Sequence, residues 1–342
     1  MAEPTLLPNS VLAATESGTD TGPLPRIPLG DWIDTAFDWL KDNLEPVFDG
    51  ISAVTETAVD GLASGLLLLP AIVMAALFAV LGGVVRSVRF GVVSLLGLLL
   101  IIALELWVPA METLALILVA TLIAVLIGVP VGIAAARNDR VSAAVRPVLD
   151  FMQTMPGFVY LIPAVTFFSI GVVPGVVTTI IFALPPGVRL TELGIRQVDP
   201  ELVEAGHAFG SPPGQILRRV QLPLALPTIM AGINQVIMLA LSMAVIAGLI
   251  GAGGLGGVVV SGISRLDIGL GFEAGLAVVV LAVYLDRLTG ALGQRRGRFA
   301  GFRTFLGRGS STTARAAQPP AQQSATPRTV APAEAPHPEP AR

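Results

Sequence analysis

The sequence predicts an all-α bundle of membrane helices that crosses the bilayer several times. Hydrophobic residues make up 53% of the 342 residues and charged residues only 13%, whereas soluble domains carry about 25% charged residues. The mean hydropathy is +0.78, and the apolar runs approach or exceed the ~20 residues that one bilayer crossing needs. A water-soluble core could not bury this much apolar surface, so we predict a polytopic membrane protein.

The apolar blocks and the arginines between them predict the number of spans and their direction. The blocks lie at about 62–84, 90–109, 112–136, 157–173, 174–188, 225–250 and 271–290. The fourth and fifth blocks together hold ~31 residues, well above one crossing, so we count about seven spans. Arginines cluster after the first, third, fifth and seventh blocks. The positive-inside rule therefore places the N-terminus outside and the C-terminus in the cytoplasm.

Composition divides the chain into four segments. Residues 1–61 form an acidic external tail, 62–109 hold two accessory transmembrane helices, 110–290 form a core of five helices, and 291–342 form a cytoplasmic tail. That last segment is basic and then rich in Pro, Ala and Gln, with too few apolar residues to fold.

An amphipathic helix is predicted within the acidic tail. Apolar residues recur there at helical spacing between acids: Trp32, Ile33, Phe37, Leu40 and Leu44. Such a helix either lies on the bilayer surface or packs on its own bundle, and its acidic polar face differs from the basic face usual at membrane surfaces.

Several residue types are too scarce for enzyme chemistry, so we predict no catalytic residues, no metal site and no cofactor. Cysteine is absent, Lys41 is the only lysine, and the only histidines are His207 and His337. A phosphate-binding GxxxxGK[ST] loop and an HExxH zinc site are therefore both excluded. Gly251–Gly256 contains GxGxxG, but it follows an apolar span instead of a strand. We expect a tight re-entrant turn there.

The segment 199–223 is the longest polar-to-amphipathic stretch between two apolar blocks, and it predicts a helix–turn–helix elbow. Asp199 is a good N-cap, Pro200 suits the first helical position, and Glu201 places an acid in the first turn. The helix can run to Phe209, where Gly210 tolerates a left-handed C-cap.

A second helix start follows the turn. Ser211 and Pro212 repeat the start signal, and a short helix from Gln215 to Val220 is predicted to end at Pro223. The arginine pattern places this whole elbow in the cytoplasm.

The elbow resembles the EAA signature of ABC importer permeases. The matching residues, at the spacing of that signature, are Glu204, Ala205, Gly206, Gly210, Leu222 and Pro223. Gly206 stands where a second alanine is usual, and Val220 where isoleucine is usual, and both keep a small or aliphatic side chain. The resemblance implies a coupling helix that docks into a groove on an ATPase subunit.

Further segments resemble the glycine betaine/proline branch of these permeases: 150–163, 181–189, 221–232, 250–256 and 271–276. The likeness implies a type I importer transmembrane domain in a bacterial cell membrane, surrounded by lipid and usually working as two copies. It also implies an ATPase subunit that binds the ATP and an extracytoplasmic substrate-binding protein, with no nucleic acid partner. The implied substrates are glycine betaine, proline betaine, choline or proline.

Polar residues on the sixth span are candidates for the translocation pathway. Asn234, Met238 and Ser242 recur every four residues with Gln235 beside them. Uncharged polar groups at membrane depth either bond across helices or line a water-filled path, and the sequence leaves both open. The small pair Gly128 and Gly132 predicts close helix packing.

Three alternative functions differ from this one in cargo, in energy source or in chemistry. A related importer permease for methionine or another small solute would share the elbow. A secondary transporter or channel would need no ATPase, and the scarcity of buried charges, with Glu105 the deepest, argues against a proton or sodium relay. A membrane-embedded enzyme lacks a catalytic cluster.

Overall fold

The computed structural model describes residues 28–294, and all regular structure in that range is helical. The helices are α1 (Leu29–Leu67), α2 (Ala71–Val85), α3 (Val88–Ala103), α4 (Trp107–Arg137), α5 (Asp139–Thr154), α6 (Leu161–Phe168), α7 (Val172–Arg196), α8 (Pro200–Ala208), α9 (Pro213–Ile216), α10 (Leu222–Ala247), α11 (Gly254–Arg265) and α12 (Ile268–Gln294). Residues 1–27 and 295–342 lie outside the described residues, and nearly all of the predicted cytoplasmic tail falls there.

The centre of the bundle is formed by α4, α7 and α10, and the contacts of α7 with α10 and with α4 are the two most extensive helix contacts in the described range. These helices are apolar on nearly all sides, as expected of helices surrounded by other helices or lipid. Their fully buried positions include Ala110, Met111, Ala115, Ile117, Val176, Val236 and Ala240. Helices α11 and α12 pack on this centre, and α12 also contacts the accessory helices α2 and α3.

Small residues set the distance between α4 and α7. A Cβ atom at Gly132 would lie 2.6 Å from both the Val188 carbonyl oxygen and the Thr191 Cβ. A Cβ at Gly128 would meet the backbone of Gly187 at 3.5 Å, which is ordinary contact. The predicted packing role of these two glycines is confirmed, and Gly132 marks the closest approach.

The helices long enough to span a membrane are fewer than the seven predicted. Within the described range four pass by length and composition: α4, α7, the continuous stretch Pro213–Ile250, and α12. Two bent pairs, α1 with α2 and α5 with the segment 157–168, raise the number to six if each pair is one span. The accessory helix α3 is apolar but has only 16 residues.

Helix breaks explain the difference in the count. The predicted block 62–84 is interrupted between Leu67 and Ala71, with a bend of 98°, because Pro70 has no N–H with which to continue a helix. The predicted block 157–173 holds only the 3-10 turn Gly157–Tyr160 and the eight residues of α6. That segment bends by 105° from α5, so α5 and α6 form at most one broken span.

The amphipathic helix predicted in the acidic tail is part of α1, which has 39 residues and continues past the predicted boundary at residue 61. Phe37 and Phe48 stack on Phe167 of α6, with ring centroids 5.0 and 4.6 Å apart. Helix α1 therefore packs on its own bundle, one of the two interpretations left open. Trp32 and Trp39 point away from that contact and stay 61% and 62% exposed.

The glycine-rich segment after α10 forms the tight turn that the sequence predicts. Gly251, Gly253 and Gly254 have φ of 76°, 74° and 61°, a left-handed region that favours glycine. The Glu112 carboxylate accepts a 3.1 Å hydrogen bond from the Gly254 N–H, and the Thr113 hydroxyl accepts one of 2.7 Å from the Leu255 N–H. These two side chains satisfy free donors at the start of α11.

Candidate coupling elbow and translocation residues

The first half of the elbow is the helix that the sequence predicts. The Asp199 carboxylate accepts a 3.0 Å hydrogen bond from the Glu201 N–H, so it caps α8 as expected. Pro200 occupies the first turn, where a missing N–H leaves no bond unmade. The helix ends at Ala208, and the Phe209 N–H still donates to the Ala205 carbonyl at 3.1 Å.

Gly210 makes the turn, as predicted. Its φ is +76°, and a Cβ at this position would meet no atom within 4 Å. Its N–H donates to the His207 carbonyl at 2.8 Å, and the Ser211 N–H donates to the Gly206 carbonyl at 3.1 Å. These bonds satisfy the last carbonyls of α8 in the manner of a glycine C-cap. The position therefore requires glycine for its backbone conformation and not for space.

The second half of the elbow differs from the prediction. No helix ends at Pro223; instead α9 continues through a π turn at Leu217–Gln221 directly into α10. Pro223 lies in the first turn of α10. Because the preceding π turn is wider than an α turn, the helix continues there although proline has no N–H to donate. Leu222 begins the span, so Leu222 and Pro223 join the elbow to α10 without a gap.

A small apolar cluster holds the inner side of the elbow. It is formed by Ile195, Val198, Leu217, Ala225 and Ile229. Val203 of α8 packs against it, and a Cβ at Gly206 would lie 3.2 Å from the side chain of Ile216, which is 2% exposed. The cluster thus joins the end of α7, the elbow and the start of α10 into one packed unit.

Within residues 28–294 nothing covers the outer side of the elbow. Glu204 and Ala205 are exposed, and Glu204 makes no side-chain hydrogen bond or ion pair within residues 28–294. Leu202 is 47% exposed and Phe209 is 90% exposed. An acid and two large apolar side chains thus lie exposed on α8 and on the residue that follows it, a surface suited to a protein partner.

The four candidate pathway residues separate into two groups. Asn234 turns toward α12, where its amide nitrogen donates to the Asp286 carboxylate at 2.8 Å and its amide oxygen accepts from the Thr289 hydroxyl at 2.6 Å. For Asn234 the interhelical interpretation therefore holds. Gln235 and Ser242 are exposed with Met238 half-buried between them, and they follow a side of α10 that the described part of the chain leaves uncovered.

Sequence reasoning did not identify the contacts of Asp286 and Glu192, two acids in membrane helices. Asp286 of α12 bonds to Asn234, and Glu192 of α7 is only 8% exposed. Glu192 lies three residues after Arg189 and four before Arg196, and α5 carries charges at matching helical spacing. That complementary pattern is the signal that could have found it.

Among residues 28–294 no three His, Asp or Glu side chains lie close enough together to hold a metal ion.

The described residues form a polytopic helical bundle with an exposed helical elbow between two membrane helices, and the comparisons with known proteins show its class to be that of transport permeases. The chain belongs to the family described as binding-protein-dependent transport system inner membrane component, whose model matches residues 128–298. The protein is therefore a multi-pass protein of the bacterial membrane.

Relatives extend the match beyond that core. The chain is 50% identical over 266 residues to the glycine betaine transport system permease OpuAB of Bacillus subtilis, covering 78% of this chain and 94% of that protein. It is 50% identical over 268 residues to the glycine betaine/proline betaine permease ProW of Escherichia coli, covering 78% of this chain and 76% of that protein. A solved structure of the MetNI methionine ABC transporter in an inward-facing conformation is 28% identical, with a TM-score of 0.49, covering 57% of this chain and 95% of that chain.

Proposed function

We propose that this chain is the permease subunit of an ATP-driven importer. Its substrate would be glycine betaine, proline betaine, choline or proline. The observation that carries the proposal is the exposed elbow. It belongs to a chain that is 50% identical to two permeases named for glycine betaine. The chain would have no cofactor of its own, and ATP would be bound by a separate subunit.

Coupling would begin at α8. An ATPase subunit that covers Leu202, Glu204 and Phe209 would pull on the elbow when ATP binding closes its dimer. Because the apolar cluster holds the elbow to the ends of α7 and α10, both helices would move with it. That movement would open the path alternately to the two sides of the membrane.

The pathway would lie on the uncovered side of α10 that carries Gln235 and Ser242. Those side chains are polar, and a second copy of the chain facing them would close a path between the two subunits. An extracytoplasmic binding protein would deliver the substrate to its outer end. In this arrangement the elbow lies in the cytoplasm, where the arginine pattern places it.

The direct test is uptake of labelled glycine betaine by proteoliposomes that contain the permease, its ATPase subunit and its binding protein. We expect uptake with ATP and none with a non-hydrolysable analogue. Unlabelled proline betaine should compete and methionine should not. Equal uptake without ATP would indicate a secondary transporter, and competition by methionine alone would indicate an importer for another solute.

A further inference from the structure

Helix α5 is fastened to α7 by charged and polar side chains along one face. Asp139, Ser142, Arg146 and Asp150 follow that face of α5 at spacings of three and four residues. They meet Arg196, Glu192 and Arg189 of α7 in reverse order, so the two helices run antiparallel. This polar seam explains why α5 is far less apolar than the spanning helices beside it.

Glu192 lies at the centre of this seam and contacts three of its side chains. Its carboxylate accepts a 2.7 Å hydrogen bond from the Ser142 hydroxyl and pairs with Arg146 at 3.3 Å and Arg196 at 2.9 Å. The Glu192 side chain is 10% exposed, while the Arg146 side chain is 64% exposed. A single exposed ion pair contributes little to stability, but removing one partner from a buried pair is strongly unfavourable.

Arg196 extends the seam to a third helix. Its guanidinium pairs with Asp139 at 2.8 Å and also donates to the Ala135 carbonyl at 2.8 Å. Three helices, α4, α5 and α7, therefore converge on the Glu192–Arg196 pair. Arginine suits this position because its planar group presents several donors in fixed directions.

The seam lies directly beside the elbow. Arg196 precedes the Asp199 cap of α8 by three residues, and Ile195 belongs to the apolar cluster beneath the elbow. A displacement of the elbow reaches the last turn of α7 first. The chain joins α5 to α4 through Asn138 and to α7 through the bent segment 155–171, so the seam is the direct side-chain connection between α5 and the last turns of α7.

We propose that Glu192 is a positioning residue that locks α5 to α7, so that movement of the elbow carries α5 with it. The inference rests on the proposed function, since it assumes that an ATPase drives the elbow. Through the bend after Thr154, α5 would carry the movement to α6, whose Phe167 stacks on Phe37 and Phe48 of α1. The lock would thus connect the elbow with the opposite end of the bundle.

The test uses the complete transporter in proteoliposomes and compares Glu192→Gln with wild type. Glutamine keeps the shape of the side chain and can still accept from Ser142, but it removes the charge that holds the two arginines. We expect ATP hydrolysis to stay within about twofold while uptake per ATP falls about thirtyfold, within the range of coupling between two sites. Glu192→Asp, which keeps the charge, should recover part of that ratio.

A matched control is Glu273→Gln on α12. Glu273 is half-buried and has no hydrogen bond or ion pair within the described residues, so uptake per ATP should not change. If Glu192→Gln does not assemble, Ser142→Ala replaces it, with a fall of about fivefold in the same ratio for the loss of one hydrogen bond.

A second measurement follows the helices themselves. The chain has no cysteine, so spin labels can be placed at Ala143→Cys on α5 and Leu193→Cys on α7, both exposed positions. In the wild-type background the label distance should be the same without nucleotide and in the ATP-bound state. With Glu192→Gln it should change or broaden between the two states.

The outcomes separate the inference from the proposed function. Wild-type proteoliposomes without ATP-dependent uptake would overturn the proposed function. A working wild type with unchanged uptake per ATP in Glu192→Gln would overturn the lock alone. Equal losses of hydrolysis and uptake, with an unchanged label distance, would likewise reduce Glu192 to a structural role and overturn the lock.

Discussion

The side-chain amide of Asn234 in α10 donates a 2.8 Å hydrogen bond to the carboxylate of Asp286 in α12. The other end of the amide accepts from the Thr289 hydroxyl, so both ends of Asn234 are engaged by α12. An ionisable side chain within a membrane helix is stabilised by such a partner, because lipid offers none. The pair therefore fixes how α12 lies against the centre of the bundle.

Replacing Asn234 should lower the stability of the permease and leave the translocation pathway unchanged. We expect Asn234→Ala to destabilise the purified permease by about 1 kcal/mol, the size of an interhelical hydrogen bond in a membrane protein. Thermal unfolding in detergent measures this. The neighbouring Gln235→Ala is the control and should leave stability unchanged, since Gln235 is exposed. A stable Asn234→Ala that loses uptake would instead place Asn234 in the pathway.

Gly210 should not tolerate a side chain, although there is space for one. Its φ of +76° makes Gly210→Ala unfavourable by about 1 kcal/mol through backbone strain alone. Because the turn orients α8, we expect ATPase stimulation by the permease to fall with little loss of assembled protein. Gly214→Ala is the matched control: it lies in the same elbow, in helix α9, and has equally open surroundings. Equal effects of the two substitutions would contradict the backbone explanation.

Gly132 and Gly128 should respond differently to the same substitution. Gly132→Ala brings a methyl group within 2.6 Å of the Val188 carbonyl oxygen, so α4 and α7 must separate, at a cost of about 1–3 kcal/mol. Gly128→Ala adds only ordinary contacts and should be nearly neutral. The yield of folded permease after extraction and its unfolding temperature decide between them. Similar behaviour of the two variants would show that α4 and α7 are not in close contact there.

The sequence predicted best where the local signals were strong. Asp199, Pro200 and Gly210 each act within one or two residues of the backbone, and their cap and turn appear where the sequence places them. The π turn at Leu217–Gln221 was missed because Pro223 ends a helix only when its N–H is needed, and the wider turn removes that need. The residue type alone does not show whether the helix before a proline is α-helical or π-helical.

The span count and the buried acids depend on tertiary contacts. The blocks 62–84 and 157–173 are apolar enough for spans, but the breaks at Pro70 and before α6 become visible only when the helices are placed. Glu192 and Asp286 were overlooked for the same reason. Glu192 contacts Ser142 and Arg146 of α5, and Asp286 contacts Asn234 of α10. These partners lie far away in the sequence, so the sequence alone does not show that the acids are paired.

Phe209 should contribute strongly to the binding of the ATPase subunit. Its side chain is 90% exposed and lies next to the turn, so Phe209→Ser should not alter the stability of the isolated permease. Burial of such an aromatic side chain in an interface often contributes 2 kcal/mol or more, and we expect binding of the ATPase subunit to weaken roughly thirtyfold. Phe272→Ser is the control, because Phe272 is 72% exposed on α12 and far from the elbow in sequence. Co-purification and titration of the ATPase subunit measure the effect, and unchanged binding would place the docking surface elsewhere.

The uncovered side of α10 should be accessible to water in the assembled transporter. A cysteine reacts with a maleimide as its thiolate, which forms in water and not in lipid, so Gln235→Cys and Ser242→Cys should both react with a membrane-impermeant maleimide. The buried Ala240→Cys, between them on the same helix, should not react, and the natural chain contributes no background because it lacks cysteine. Trapping the complex with a non-hydrolysable ATP analogue should change the rate at Ser242→Cys more than at exposed positions outside the helix, because alternating access opens the path to one side at a time. Protection of both positions in every state would mean that this side of α10 faces lipid, and the path would then have to run along another helix.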